Sequence, residues 1–216
     1  MAYLVCITGT DGAGKTCITD WLQAYLQQHG RDTATVWSRF NNYLSKPILA
    51  ITRLTGHNHF KPVGDEVHGF HDFQTLGIWR YVFAFLQAID VNVATYTKIL
   101  KPRKDCDVLI CERGPWDTLT DVIVDTRLTQ LKNHWIGKLI VRQVSHKSIT
   151  FLISRDIEKI CETRTELNDD YKLKEKYATY HELQKQYGWI LIDNNASLDG
   201  TKQQIVDQLK KLGVIP

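Results

Sequence analysis

No run in the sequence approaches 18 apolar residues, so it offers no candidate membrane-spanning helix. It also lacks a strong charge bias: 27 Lys+Arg against 24 Asp+Glu leave +3 over 216 residues. That is too little for a general nucleic-acid binder, although local basic clusters can still meet a phosphate. The five cysteines are odd in number and contain no C-x-x-C pair. They do not make a disulfide framework, and most sit in apolar runs, as expected of reduced thiols in a cytoplasmic protein. The start, MAYLVCITG, has no basic segment and runs straight into a glycine loop, which reads as a strand and not a signal peptide. No period of 20–50 residues repeats and no segment is of low complexity. With 43% hydrophobic and 24% charged residues the chain is neither disordered nor fibrous.

What is present is an alternation. Short apolar runs at 3–8, 107–111 and 148–153, with shorter ones at 35–37 and 189–192, have the character of buried parallel strands. Helical patterns lie between them, at 15–29, 73–100, 128–144, 157–163, 172–187 and 201–212. This order predicts an α/β fold, a five-stranded parallel sheet with helices on both faces. The length fits a single domain over 1–216, with no interdomain linker. The stretch 41–72, with Gly56, Gly64, Gly69, Pro47, Pro62 and four histidines, has the least regular pattern. It is expected over the carboxyl edge of the sheet, where open α/β sheets bind ligands.

Gly9-Thr-Asp-Gly-Ala-Gly-Lys15-Thr16 satisfies G-x-x-x-x-G-K-[ST], after an apolar strand and opening a helix. Glycines let successive backbone N–H groups surround a phosphate, and the positive end of the helix adds to that field. Gly9, Thr10, Asp11, Gly12, Ala13, Gly14, Lys15, Thr16 and the following Cys17 are the candidate ATP-binding residues. Lys15 is placed to bridge the β- and γ-phosphates and the Thr16 hydroxyl to ligand Mg²⁺. A GTPase would carry an Asn-Lys-x-Asp motif after a later strand, and none is present. A small chain with its phosphate loop at residue 9 suggests a kinase for a small substrate.

Asp107-Val-Leu-Ile-Cys-Glu112-Arg113 is an apolar strand ending in an acid and then a base. A carboxylate there belongs to the magnesium shell, often through a metal-bound water. Arg113, in the same crevice, can hold a substrate phosphate bidentately or serve the transfer itself. Gly114-Pro115 turns the chain, and Asp117 is expected to cap the next helix.

With both motifs placed, the sequence resembles the thymidylate kinase family of nucleoside monophosphate kinases over nearly its whole length. The resemblance implies a P-loop kinase fold, ATP and Mg²⁺, a small nucleotide acceptor such as dTMP or a related (deoxy)nucleotide, and a homodimer formed through helices. It implies that Asp11 approaches the sugar of the acceptor, that a lid covers about 155–171, and that Asn194 and Asn195, after Asp193, belong to the adenine loop. It also implies an aromatic stacked on the base, for which Phe73 and Phe83 are the candidates among Phe70, Phe73, Trp79, Tyr81, Phe83 and Phe85. The sequence departs from the family after the second strand, where Ser38-Arg39-Phe40-Asn41-Asn42 retains only the arginine. It departs again near Asp90-Val91, where the family's arginine is missing and Arg80 is the candidate substitute.

The acids and bases of 155–166 space as a solvated, ion-paired helix face. Charge developing on the transferred phosphoryl needs a second cation beside Lys15 and Mg²⁺, and Arg164 is the first candidate and Arg155 the second. A nucleoside kinase needs a carboxylate base in the acceptor site, whereas a monophosphate, with a second pKa of about 6, needs none. Arg39 stands where that base would be, so the sequence favours a monophosphate acceptor clamped by Arg39. A nucleoside or other small-metabolite kinase, and an ATP-binding protein without transfer activity, stay open. His57-x-His59 and His68-x-x-His71 have separations that can hold Zn²⁺, but no cysteine joins them, and a polar loop over the acceptor is the preferred reading.

Overall fold

In a computed structural model, residues 2–39, 41–54, 58–63, 66–71, 73 and 76–215 are described, with backbone only for Arg53 and for 58–63 and 66–71. Strands β1 (Tyr3–Thr8), β2 (Thr33–Trp37), β5 (Val108–Glu112), β6 (Ile149–Ser154) and β7 (Ile190–Asp193) form one sheet in the order β2-β5-β1-β6-β7. Every pairing in it is parallel. The three central strands are almost continuously apolar because both of their faces are covered. The edge strand β2 alternates instead, leaving Trp37 about half exposed.

The two-residue period of the strands divides the core. Leu4, Cys6, Leu109, Cys111 and Leu152 face one side, under α3 (Trp79–Ala94), α4 (Pro115–Thr126), α5 (Trp135–Val141) and α7 (Leu173–Tyr187). Val5, Ile7, Ile110, Phe151 and Ile153 face the other, under α1 (Lys15–Gln28) and α8 (Leu198–Lys211). This is the expected P-loop kinase arrangement, a five-stranded parallel sheet with helices on both faces.

Several expected elements are corrected. The helix expected at 73–100 starts at Trp79, leaving Phe73 in the preceding segment, and ends in a π-helical turn, Thr95–Leu100. The helix expected at 128–144 is broken into a 3₁₀ turn, Thr129–Lys132, and α5, which His134 caps by accepting the Ile136 N–H. Gly137 lies so close to the Leu131 carbonyl that a Cβ there would sit 1.9 Å from it, which holds the two pieces at an angle. Asp117 does not cap a later helix: it is in the first turn of α4, whose Pro115 sits at the favoured first position. The stretch 41–72 contains α2 (Lys46–Leu54) and an antiparallel hairpin of β3 (Asn58–Val63) and β4 (Glu66–His71). Short α6 (Ile157–Thr163) coincides with its expected helix.

Candidate active site

Two cavities meet at the carboxyl edge of the sheet, a larger one of about 740 Å³ and a smaller one of about 310 Å³. Gly12, Gly14, Lys15, Thr16, Cys17 and Arg155 line the smaller, while Asp11, Arg39, Phe73, Phe83 and Glu112 line the larger. Thr16, Arg113 and Arg164 line both, so the two candidate transfer arginines Arg113 and Arg164 stand at the junction and Arg155 on the smaller side alone.

Gly9 takes φ +141° and leaves no room for a side chain, since a Cβ would lie 2.4 Å from the Ile153 carbonyl of β6. The loop so formed folds round Lys15, whose ammonium donates to the Gly9 and Thr10 carbonyls, both at 2.6 Å. Burial and the nearby Arg113 bring the Lys15 pKa down to about 8, against the pull of Asp11. The Thr16 hydroxyl donates to Glu112 Oε1 at 2.7 Å. These two oxygen donors, beside the phosphate loop, suit Mg²⁺, which takes few protein ligands and completes its shell with water and phosphate oxygens. Among the described residues no cluster of three or more His, Cys, Asp or Glu forms a metal cage.

Arg113 occupies the left-handed region at φ +54°, an uncommon conformation for a side-chain-bearing residue that costs of order 1 kcal/mol or more. The turn aims its guanidinium at Asp11, with which it forms an ion pair. Asp11 also faces Arg39 at 3.6 Å and Lys15 at 3.9 Å. Burial alone would raise the Asp11 pKa, but Lys15, Arg39 and Arg113 together hold its carboxyl well below the usual range.

Arg39 is committed more firmly than the sequence suggests. Its Nε and Nη2 donate to both oxygens of Asp121 on α4, at 2.8 and 2.9 Å, and Lys176 of α7 reaches the same carboxylate at 3.2 Å. One turn on, Asp125 pairs with Lys172 at 2.7 Å. Sequence reasoning missed Asp121, Asp125, Lys172 and Lys176, all of which line the larger cavity. The signal was available: Asp117, Asp121 and Asp125 recur at i, i+4 on one helix, and Lys172 and Lys176 do so on another. The structure thus brings a carboxylate to the place where sequence reasoning found only an arginine. Burial would raise the Asp121 pKa, yet Lys176 and Arg39 hold it below the usual range, which makes it a poor base. Asp117, bonded to the Tyr180 hydroxyl at 2.8 Å, is raised by burial and does not line either cavity.

The far end of the larger cavity is apolar. Phe73 and Phe83 stack there, with ring centroids 4.2 Å apart, beside Trp37, Leu49 and Val122. Asp90, where the expected arginine is missing, holds the neighbouring loop: it accepts from the backbone N–H groups of Tyr43, Leu44 and Ser45 and from the Ser45 hydroxyl.

Other candidates are not brought to the cavities. Arg80 stands over the Tyr81 ring at 5.3 Å and lines neither. The Asn194 amide donates to the Ala13 carbonyl and accepts from Thr201, both at 2.8 Å, and Asn195 ties Asp156 to Asp193. Their side chains fasten loops together and line neither cavity. Phe40 and His57, and the side chains of His59, His68, Phe70 and His71, lie outside the described residues.

No protein-family model matches the chain, and no curated protein sequence does. Among solved structures it is similar to a thymidylate kinase from Ehrlichia chaffeensis, with a TM-score of 0.56 and 13% identity over 97% of this chain and 98% of that one. At this identity the likeness is one of fold.

Proposed function

We propose that this protein is an Mg²⁺- and ATP-dependent kinase that phosphorylates a nucleoside monophosphate, dTMP or a related (deoxy)nucleotide, to the diphosphate. The observation that carries this reading is a charge imbalance beside the phosphate loop. Four cations, Lys15, Arg39, Arg113 and Lys176, hang on two carboxylates, Asp11 and Asp121. Such an excess suits a second phosphate dianion facing the one in the loop. The resemblance to thymidylate kinases in motif and in fold supports the same conclusion. A hydroxyl acceptor would need a carboxylate base, and Asp121 is held ionised and weakly basic by its two cations.

Thr16 and Glu112 are the residues that would hold Mg²⁺, which when bound neutralises charge on the transferring phosphates. Lys15 and the backbone N–H groups of 9–17 bind the donor triphosphate, with the segments around Asn194 and Asn195 shaping its adenine side. Arg39 and Arg113 orient the acceptor phosphate, Phe73 and Phe83 contact the base, and Asp11 reaches the sugar. Arg164 neutralises the phosphoryl in transit when 155–171 closes as a lid. The chain acts as a single domain over 1–216, in the cytoplasm, and pairs as a homodimer through the outer face of α3. Among the described residues no helix is long and apolar enough to cross a membrane.

The test is a panel of ribo- and deoxynucleoside monophosphates and the matching nucleosides with Mg-ATP, read by ADP release and product mass. One or more monophosphates are expected to yield a diphosphate, and Lys15→Ala to slow that turnover by about 100-fold or more with an unchanged melting temperature. Turnover of nucleosides alone, or of no member, would overturn the reading.

A further inference from the structure

We propose that Lys176, on α7, is a substrate-binding residue that takes the phosphate of the acceptor together with Arg39 and Arg113. This rests on the monophosphate reading above.

The ammonium is buried to 14% exposure of its side chain and lines the larger cavity. Among the described residues its one partner is Asp121 Oδ1, at 3.2 Å, and that oxygen already accepts from Arg39 Nη2 at 2.9 Å. An ammonium has three N–H donors, so this one shares half an acceptor and keeps donors unspent in a largely desolvated place. Burying a cation under such terms is unfavourable unless a further anion completes its shell. The cavity beside it is the only large space it faces among the described residues, and an anion there would complete it.

The placement relative to the other cations identifies the anion. Arg113, Asp11, Arg39, Asp121 and Lys176 form a chain of alternating charge in which each carboxylate is shared by its neighbours. Cations therefore stand at both ends and in the middle, along the wall of one cavity. A group with three equivalent anionic oxygens can meet three such cations, and an acceptor phosphate is that group. Lys176 also stays charged to perform the task, since Asp121 outweighs burial and lifts its pKa to about 12. Lys174, two residues away on the same helix, is exposed and serves as a control.

Steady-state kinetics of Lys176→Met, with the monophosphate that the wild-type protein turns over fastest, tests the assignment. The acceptor KM is expected to rise about tenfold or more and the ATP KM to stay within about twofold. Lys176→Arg is expected to keep the acceptor KM within about threefold, and Lys174→Met to behave as wild type. If Lys176→Met does not fold, Lys176→Gln replaces it with the same expectations. A wild-type monophosphate kinase whose acceptor KM is unmoved by Lys176→Met, or whose two KM values rise together, would overturn the role of Lys176 and leave the monophosphate reading standing. A wild-type protein that turns over no monophosphate would overturn both.

Discussion

At the scale of the residue, Lys15 shows how a buried cation is kept ready. Its own loop supplies two carbonyl acceptors, while burial and Arg113 lower its pKa to about 8. Below that pH the side chain is an ammonium and binds a triphosphate directly; above it the proton must be taken up first. ATP affinity is therefore expected to be flat from about pH 6.5 to 8 and to weaken by up to about tenfold per unit above 8. Titration calorimetry across pH 7–9.5 checks this, and an unchanged Kd at pH 9.5 would contradict it. The acid side of the site behaves oppositely. Asp11 and Asp121 are both held below the usual carboxylate range, so their ion pairs persist through mildly acidic pH and are lost only on stronger acidification.

At the scale of the element, the phosphate loop is braced from two sides. Gly14, at φ +93°, presents a position where a Cβ would lie 2.7 Å from the Asn194 amide. Gly12 likewise leaves space for Ile160 of α6 and for Leu167, which with Leu173 form a small apolar cluster of their own. The loop thus touches both the segment after β7 and the segment proposed as a lid. Gly14→Ala combines an unfavourable backbone with a clash, and is expected to lower stability by about 1–3 kcal/mol. Chemical denaturation of the variant measures that loss, and a midpoint equal to wild type would show that the Asn194 contact yields freely. Asn194 is in this sense a loop fastener, a role its neighbours in space define and its neighbours in sequence do not.

At the scale of the whole molecule, α3 shows one face to the sheet and another to solvent. Phe83, Ala84, Ala88 and Val91 are buried, whereas Trp79, Val93 and Tyr96 are more than half exposed. Trp135 of α5 is exposed beside them, its ring edge-on to Phe85 at 5.8 Å. So many large apolar side chains on one surface mark an association face. Under the homodimer reading, sedimentation velocity is expected to give a dimer of the 24.9 kDa chain. Trp79→Glu with Val93→Glu is expected to shift it to monomer while the circular dichroism spectrum is retained. A wild-type monomer at tens of micromolar would reject that interface.

Contiguity separates what could be read in the one-dimensional chain from what could not. The phosphate loop, the Glu112-Arg113 strand end and the five parallel strands were all legible, because each depends on residues within about ten positions of one another. Strand burial, glycine spacing and an acid at a strand end carry their meaning locally. Helix boundaries were less legible: the break at 133–134 and the π-helical turn at Thr95–Leu100 depend on what packs against those segments. The acceptor side of the site was decided by the tertiary structure. Arg39 was visible as a cation after β2, but its carboxylate partner comes from 82 positions away, and Lys176 arrives from α7. Electrostatic partners at such separations have no periodicity to reveal them; they meet because the parallel sheet delivers the ends of β1, β2 and β5 to one edge, where α4 and α7 pack beside them.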